Sequence, residues 1–412
     1  MIEHISSGSD RSVDSRGQVF FSYGFRTFFL LAGFYAAAAM AIWALWFVLL
    51  DVASELVSEL PLLPQQLHAH EMIFGYVMAV IAGFLLTAIP GWTNARPVQG
   101  NGLKILLAVW LAGRVAIACS PWLPIAIVAF FDLLFVPALT VPVALGLMKQ
   151  PAPRNLIFLG LLALFWLGNL LTYTELLGWT SDGIAVGHLL ALDTAIVLIS
   201  IVGGRVTPSF TLNDLRSEGH DRLPLSHPLL DGAAIMSVAA VLVADLIWPG
   251  ELVTGAVALV ASIVNFVRLL LWRGLATRRK PILWILHMSY LWIVIGLALK
   301  GISLVSGLFE EVAAMHALWI GGVGGMTIGV MSRAALGHTG RVLKAPQPIV
   351  VAYVLISVSA ILRVSGAVFL VDYYTSLMIA AALIWTIAFT LFVWVFWPIL
   401  TTPGLDTAAA AS

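Results

Sequence analysis

The chain has 412 residues, 61% of them hydrophobic and 10% charged, with no formal net charge at pH 7 and a mean hydropathy of +1.01. Such a composition excludes an ordinary soluble globular protein and points to a polytopic membrane protein, while the zero balance gives no reason to expect a nucleic-acid or acidic partner. The one cysteine, Cys119, excludes an internal disulfide, a CxxCH attachment site and a four-cysteine iron–sulfur cluster.

Residues 1–25 are polar, with no apolar core followed by a small-residue cleavage site, so they read as a cytoplasmic tail rather than a signal peptide. A span needs roughly 20 apolar residues to cross a core of about 30 Å. On that measure the sequence predicts twelve, near 26–50, 68–90, 102–119, 122–147, 154–175, 184–204, 228–248, 251–272, 281–304, 312–332, 347–370 and 373–398. Residues 26–398 thus form one membrane domain, followed by a second cytoplasmic tail, 399–412. Pro121, Pro124, Pro137 and Pro142 interrupt the third and fourth spans.

In a twelve-span chain, basic residues such as Arg96, Lys149, Arg205, Arg222, Arg279 and Lys344 fall on one side. Asp51, Glu55, Glu59, Glu175, Asp182, Glu251, Glu310 and Asp372 fall on the other. The bias toward Lys and Arg marks the first side as cytoplasmic and places both termini there. Lys300 is the main exception. The longest loop, 205–227, carries no apolar periodicity and reads as a polar cytoplasmic connection.

Spans two, six and ten each start outside and carry a histidine near that end: His70, His188 and His316. Glycines follow His70 and His316 at matching offsets (Gly75 and Gly83, Gly321 and Gly329), and arginines follow His188 and His316 at matching offsets (Arg205 and Arg333). This pattern suggests three four-helix units around a pseudo-threefold axis; coincidence among glycine-rich membrane helices is the alternative.

Ionisable groups in hydrocarbon are costly and usually functional, which makes the run LHAHEMIFG the sharpest signal. Side chains two apart point about 200° apart on a helix. His68 and His70 therefore serve two centres, or one serves a centre and the other donates a hydrogen bond, unless both are simply wetted by headgroups. Glu71 has three readings: it fixes an imidazole tautomer, handles protons, or does nothing as an outer-loop carboxylate. His188 and His316 lie at nearly the depth of His70, and imidazole suits copper and haem iron; the alternative for each is an interhelical hydrogen bond. Asp193 is a candidate proton relay or ligand partner, or a carboxylate satisfied inside the bundle. His287, toward the inner leaflet, reads as an axial haem ligand or a buried polar contact.

The Gly321, Gly325 and Gly329 ladder reads first as close helix packing. Arg205 and Arg333 read as interface anchors or as partners of haem propionates, and Arg26 and Arg114 as snorkelling anchors.

The stretches GFRTFFLLAG, LHAHEMIFGYVMAVIAGFLLTAIPGWTN, WLAGR, GGRVTPSFT, LHMSYLW and MHALWIGGVGGMTIGVMSRAALGHTGR together resemble the NnrS family of bacterial membrane proteins. They run from residue 24 to residue 341, and HAHEMIFG and ALGHTGR are the specific pieces. The chain departs mildly from the family pattern at Thr27, Asn94 and Ser209, none of which touches the histidines. The resemblance implies a twelve-span protein of the bacterial inner membrane, containing haem b and copper and associated with denitrification and nitric oxide resistance. By fold-level analogy it is also similar to the catalytic subunit of haem–copper oxidases and nitric oxide reductases, although the paired histidines expected on a seventh helix of that superfamily are missing.

Three functions follow as expectations. The first is reduction of nitric oxide with electrons from membrane quinol, involving Glu71 and Asp193 in proton handling and His68, His70, His188 and His316 at the metals. The second is a non-enzymatic metal-binding sensor or protector against nitrosative stress. The third is a secondary transporter, which the outer position of the histidines disfavours because transporters usually bind substrate at the midplane.

Overall fold

The structure is a computed structural model that describes residues 11–49 and 60–405, with side chains from residue 16 onward. Asp51, Glu55, Glu59 and parts of both terminal tails lie outside the described residues. Among the described residues there are twelve helices long and apolar enough to cross a membrane. They are α1 (Gly24–Val48), α2 (Pro64–Thr93), α3 (Asn101–Ala118), α4 (Ile125–Leu147), α5 (Pro153–Leu176), α6 (Gly183–Ser217), α7 (Pro228–Ile247), α8 (Leu252–Leu271), α9 (Pro281–Ser306), α10 (Val312–Gly337), α11 (Gln347–Val368) and α12 (Val371–Thr401). Helices are the expected solution because hydrocarbon offers backbone N–H and C=O groups no partner.

Local sequence sets the limits. Proline occupies the first turn of α2, α5, α7, α9 and α11, where its missing N–H costs nothing. Helix α9 ends on Gly307 at φ 64°, a left-handed cap that returns its N–H to Ser303. Helix α4 breaks at Leu134, just before Pro137, in one of the two spans where the sequence showed proline interruptions.

The innermost helices are α2, α6, α9 and α10, with 78%, 72%, 67% and 67% of their apolar windows buried. Helices α2, α6 and α10 meet around an apolar cavity of about 70 Å³ lined by Val77, Ile81, Ile199, Gly203, Met326 and Thr327. In two of the three, a π-helical stretch follows the histidine directly: Glu71–Val77 after His70 and Ala317–Gly324 after His316. Such bulges re-aim side chains and recur at functional sites. Helix α6 has none, so this likeness joins two of the expected units rather than three. The glycine ladder packs α10 onto α9: added Cβ atoms would strike Trp292 at Gly321, Ser289 at Gly325 and Ile285 at Gly329.

Several expectations change. The polar stretch 205–217 is not loop but the last turns of α6, which passes through Pro208. Arg26 does not snorkel: it is 5% exposed, and its Nη1 donates to the carbonyls of Leu400 (3.1 Å) and Thr402 (2.8 Å), tying α1 to the end of α12. Arg114 is also buried, between two carboxylates. Lys300, the exception to the charge bias, is an ion-pair partner of Asp245 at 2.9 Å and of Glu311.

Candidate functional site

The HAH run opens α2 and sends its two imidazoles to different neighbours, as a 200° separation requires. His70 is fully buried. Its Nδ1 lies 2.9 Å from Glu71 Oε1; its Nε2 lies 3.0 Å from Asn169 Oδ1 and 3.2 Å from Asp132 Oδ2. Asn169 Nδ2 donates to Asp132 at 2.8 Å, which turns the amide oxygen toward the imidazole. Both ring nitrogens thus have polar partners. Arg114 bridges Glu71 and Asp132, one guanidinium between two carboxylates. Tyr35 donates to Glu71, and Tyr173 donates to Asp132 at 3.0 Å.

In this cluster both ring nitrogens of His70 are engaged by protein groups. Glu71 holds the imidazole, one of the roles the sequence left open, and also takes Tyr35 and Arg114 as partners.

His68 faces the other way. Its ring stacks on Trp43 of α1, 4.5 Å between centroids and 13° between planes, and Trp43 stacks in turn on Trp46 at 5.4 Å. Among the described residues the His68 ring makes no hydrogen bond. Arg363 of α11 lies within electrostatic reach of both His68 and His316. Nδ1 of His316 donates to Val312 O at 2.7 Å, one turn back on α10, which fixes the tautomer and leaves Nε2 as the lone-pair nitrogen. Arg363 has no carboxylate partner among the described residues. Its Nη2 donates to Tyr374 at 2.7 Å, while Nη1, like Trp46 Nε1, is buried with no acceptor. An imidazole lone pair, a flat aromatic wall and two unpaired donors thus share one face.

The expected trio of His70, His188 and His316 is therefore divided. His188 stays with His70, their ring centroids 6.1 Å apart, and its Nε2 is buried without a partner. His316 goes with His68. Among the described residues, no group of three or more His, Cys, Asp or Glu is placed to hold a metal ion.

Asp193 lies on α6 close to Asp245 of α7, and each has a buried carboxylate oxygen, Oδ2, without a partner. The order outward is Asp193, Asp245, Lys300 and then the partly exposed Glu311. His287 sits apart, toward the opposite, basic end, with Nε2 2.9 Å from Thr211 Oγ1. Arg205 is exposed and reaches the Arg154 carbonyl at 3.4 Å; Arg333 lies 3.9 Å above the Phe210 ring. Both are at the basic end, away from the paired histidines, so neither is placed for a ligand held there.

At the cytoplasm-facing surface predicted from charge, Lys280 contacts Asp214 at 2.5 Å and Glu218 at 2.6 Å. Burial opposes its charge, but these two carboxylates outweigh it and raise its pKa above the usual lysine value. The hydrogen bond from Lys280 holds Glu218 below the usual glutamate value.

Sequence reasoning missed Asp132, Asn169, Asp245 and Arg363 altogether, and called Arg114 an anchor. The signal was present, since each interrupts an apolar run (FFDLL, LGNLL, VADLI, ILRVS), but the rule that such residues are purposeful was applied mainly to histidines. The family model described as NnrS protein matches residues 19–403, nearly the whole chain. A search of curated proteins finds no match.

Proposed function

The chain belongs to the NnrS protein family, and we propose from that membership and the arrangement around His316 that it holds haem b and reduces nitric oxide in the bacterial inner membrane, its basic end toward the cytoplasm. The observation that carries the reading is the His316 ring: its Nδ1–H is anchored on a backbone carbonyl, so Nε2 is presented as a ligand. Arg363 Nη1 and Trp46 Nε1, buried donors without acceptors, suit the carboxylates of a haem. Bound there, haem would supply one-electron chemistry and a coordination site for nitric oxide.

This chain's residues do the rest. His316 fixes the ligand nitrogen, Trp43 and Trp46 wall the face against water, and His68 stands ready as a donor on the same face. The overall reaction takes two nitric oxide molecules, two electrons and two protons to one nitrous oxide and one water; a quinol releases both the electrons and the protons when oxidised to quinone. Asp193, Asp245, Lys300 and Glu311 form an ordered set of groups able to hold and pass a proton between the interior and the acidic end. Copper is the less supported half of the cofactor expectation. His188 Nε2 offers a single donor with no companions gathered around it, and no step is assigned to copper.

The test is absorption spectroscopy with His316→Ala and His70→Gln. The first variant is expected to lose the haem band and the second to keep it; a haem band unchanged by His316→Ala overturns the assignment. Reduced protein should then consume nitric oxide and release nitrous oxide. The incomplete donor set for copper favours one second reading, a haem protein that binds nitric oxide stoichiometrically as a sensor or protector, and the absence of nitrous oxide with intact haem would select it.

A further inference from the structure

At the basic end, far along the chain from the paired histidines, a cavity of about 780 Å³ opens between the end of α8, the turn Gly274–Thr277 and the first turns of α9. Its walls are mostly apolar, including Phe266, Leu270, Trp284 and Met288, and all four are exposed or half-exposed on the helix faces that meet lipid. Three polar side chains break this lining: His287, Arg273 and Arg278.

The first is His287, 6% exposed. Thr211 Oγ1 donates its own hydrogen to Thr207 O at 2.9 Å, so it receives a hydrogen bond from His287 Nε2–H, also at 2.9 Å. That fixes the tautomer and leaves Nδ1 as a bare lone pair, buried and without a partner. Nδ1 is turned toward Gly274, where an added Cβ would lie only 2.9 Å from it, so the bare backbone keeps the cavity open beside the nitrogen. The second is Arg273, which lines the same cavity in a left-handed conformation, φ 59°, with its Nε–H buried and unpaired. A non-glycine residue in that region is strained, and such strain is retained where surroundings or function hold it.

The cavity therefore offers one acceptor at His287 Nδ1, guanidinium donors from Arg273 and Arg278, aromatic walls and access from the bilayer. We propose that it binds the ring of a membrane quinol, with one hydroxyl donating to His287 Nδ1, the second oxygen accepting from Arg273 Nε, and the isoprenoid tail leaving past Leu270 and Met288. The inference rests on the quinol-dependent reading above and supplies its donor site. Other occupants fit less well. An ionised phosphodiester would satisfy Arg273 and Arg278 but has no hydrogen to give Nδ1. Haem iron prefers the Nε2 nitrogen that Thr211 already occupies, so the expected axial role of His287 gives way to a hydrogen-bonding one.

The experiment is photolabelling of the full-length protein in lipid nanodiscs with an azido-ubiquinone, competed by decylubiquinol under argon and mapped by peptide mass spectrometry. Label is expected on 266–291. His287→Gln keeps a donor for Thr211 but deletes the acceptor, and should weaken decylubiquinol competition at least tenfold. His287→Asn, with an oxygen near the Nδ1 position, should stay within about threefold. Ala276→Trp, which fills the cavity without touching His287, should abolish labelling even if His287→Gln proves hard to purify. Competition unchanged in both His287→Gln and Ala276→Trp, label mapping elsewhere, or displacement by cardiolipin rather than by decylubiquinol would overturn the site. The two readings can fail separately: quinol bound here without nitric oxide turnover rejects the reductase, whereas turnover with an artificial reductant and no quinol label rejects this site.

Discussion

Two imidazoles two residues apart on one helix live in opposite conditions. His70 sits in a closed polar cluster in which both ring nitrogens are matched and the Arg114 guanidinium faces two carboxylates. His68 faces a second region where an unpaired lone pair, an unpaired guanidinium nitrogen and an unpaired indole N–H remain. A buried polar network that is complete rigidifies what surrounds it, whereas unmatched buried groups are costly unless something binds to them. Position in the sequence said that both histidines matter; only the accounting of partners says that one holds the structure and the other faces a site.

The comparison can be broken most directly at Arg114. Arg114→Ala leaves Glu71 and Asp132 buried together without their cation, a change worth about 3–5 kcal/mol in buried pairs. Thermal unfolding in detergent should show a large fall, and a midpoint unchanged within error would mean that the cluster is not the structural half of the pair. Next in size, Gly321→Ala forces a methyl against Trp292, with an expected loss of about 1–3 kcal/mol, measured by the same unfolding curve. That separates helix packing from any role of the glycines beside a ligand, since the absorption spectrum should not move.

His68→Ala is expected to cost only about 0.5–1.5 kcal/mol, the worth of one aromatic stack, while altering the haem spectrum and nitric oxide affinity. Replacing His70 should do the reverse, lowering stability and sparing the spectrum. Equal spectral change in both variants would erase the distinction.

The smallest effect lies outside both regions, at Lys280. Its raised pKa means that its pairing stabilises the fold below the unfolded lysine value near 10.5 and is lost as pH rises through the higher folded value. The lowered pKa of Glu218 acts at the other end: its contribution is present above the unfolded value near 4.5 and is lost as pH falls through the lower folded one. Lys280→Met should flatten both limbs of a stability-against-pH curve, and at neutral pH the loss of the Lys280–Asp214 pair should stay under about 1 kcal/mol.

The spans were legible because hydrocarbon imposes one period and one length on every segment, and the breaks at Pro124 and in α4 followed from proline alone. The far end of α6 was not: TLNDLRS carries only Leu212 and Leu215 as apolar residues, too few to mark a helix by themselves, and the helix there continues from a long buried span. The opposite faces of His68 and His70 were readable from helix geometry. Their partners were not, because Asp132, Asn169 and Arg363 come from helices whose neighbours no local pattern specifies. The grouping of His188 with His70 and of His316 with His68 was unreadable for the same reason, since depth along a helix says nothing about rotation around it, and π-helical stretches follow His70 and His316.

Arg26 has a bearing on how such a bundle is made. Its charge enters the bilayer with α1, yet the carbonyls that receive it, at Ile399, Leu400 and Thr402, lie 373 to 376 residues later in the chain, at the end of α12. Until then the guanidinium must borrow water or lipid headgroups, so α1 cannot settle in its final place early. The ring of helices is latched from its two ends at once, and a nascent chain stopped before α12 would carry an open latch.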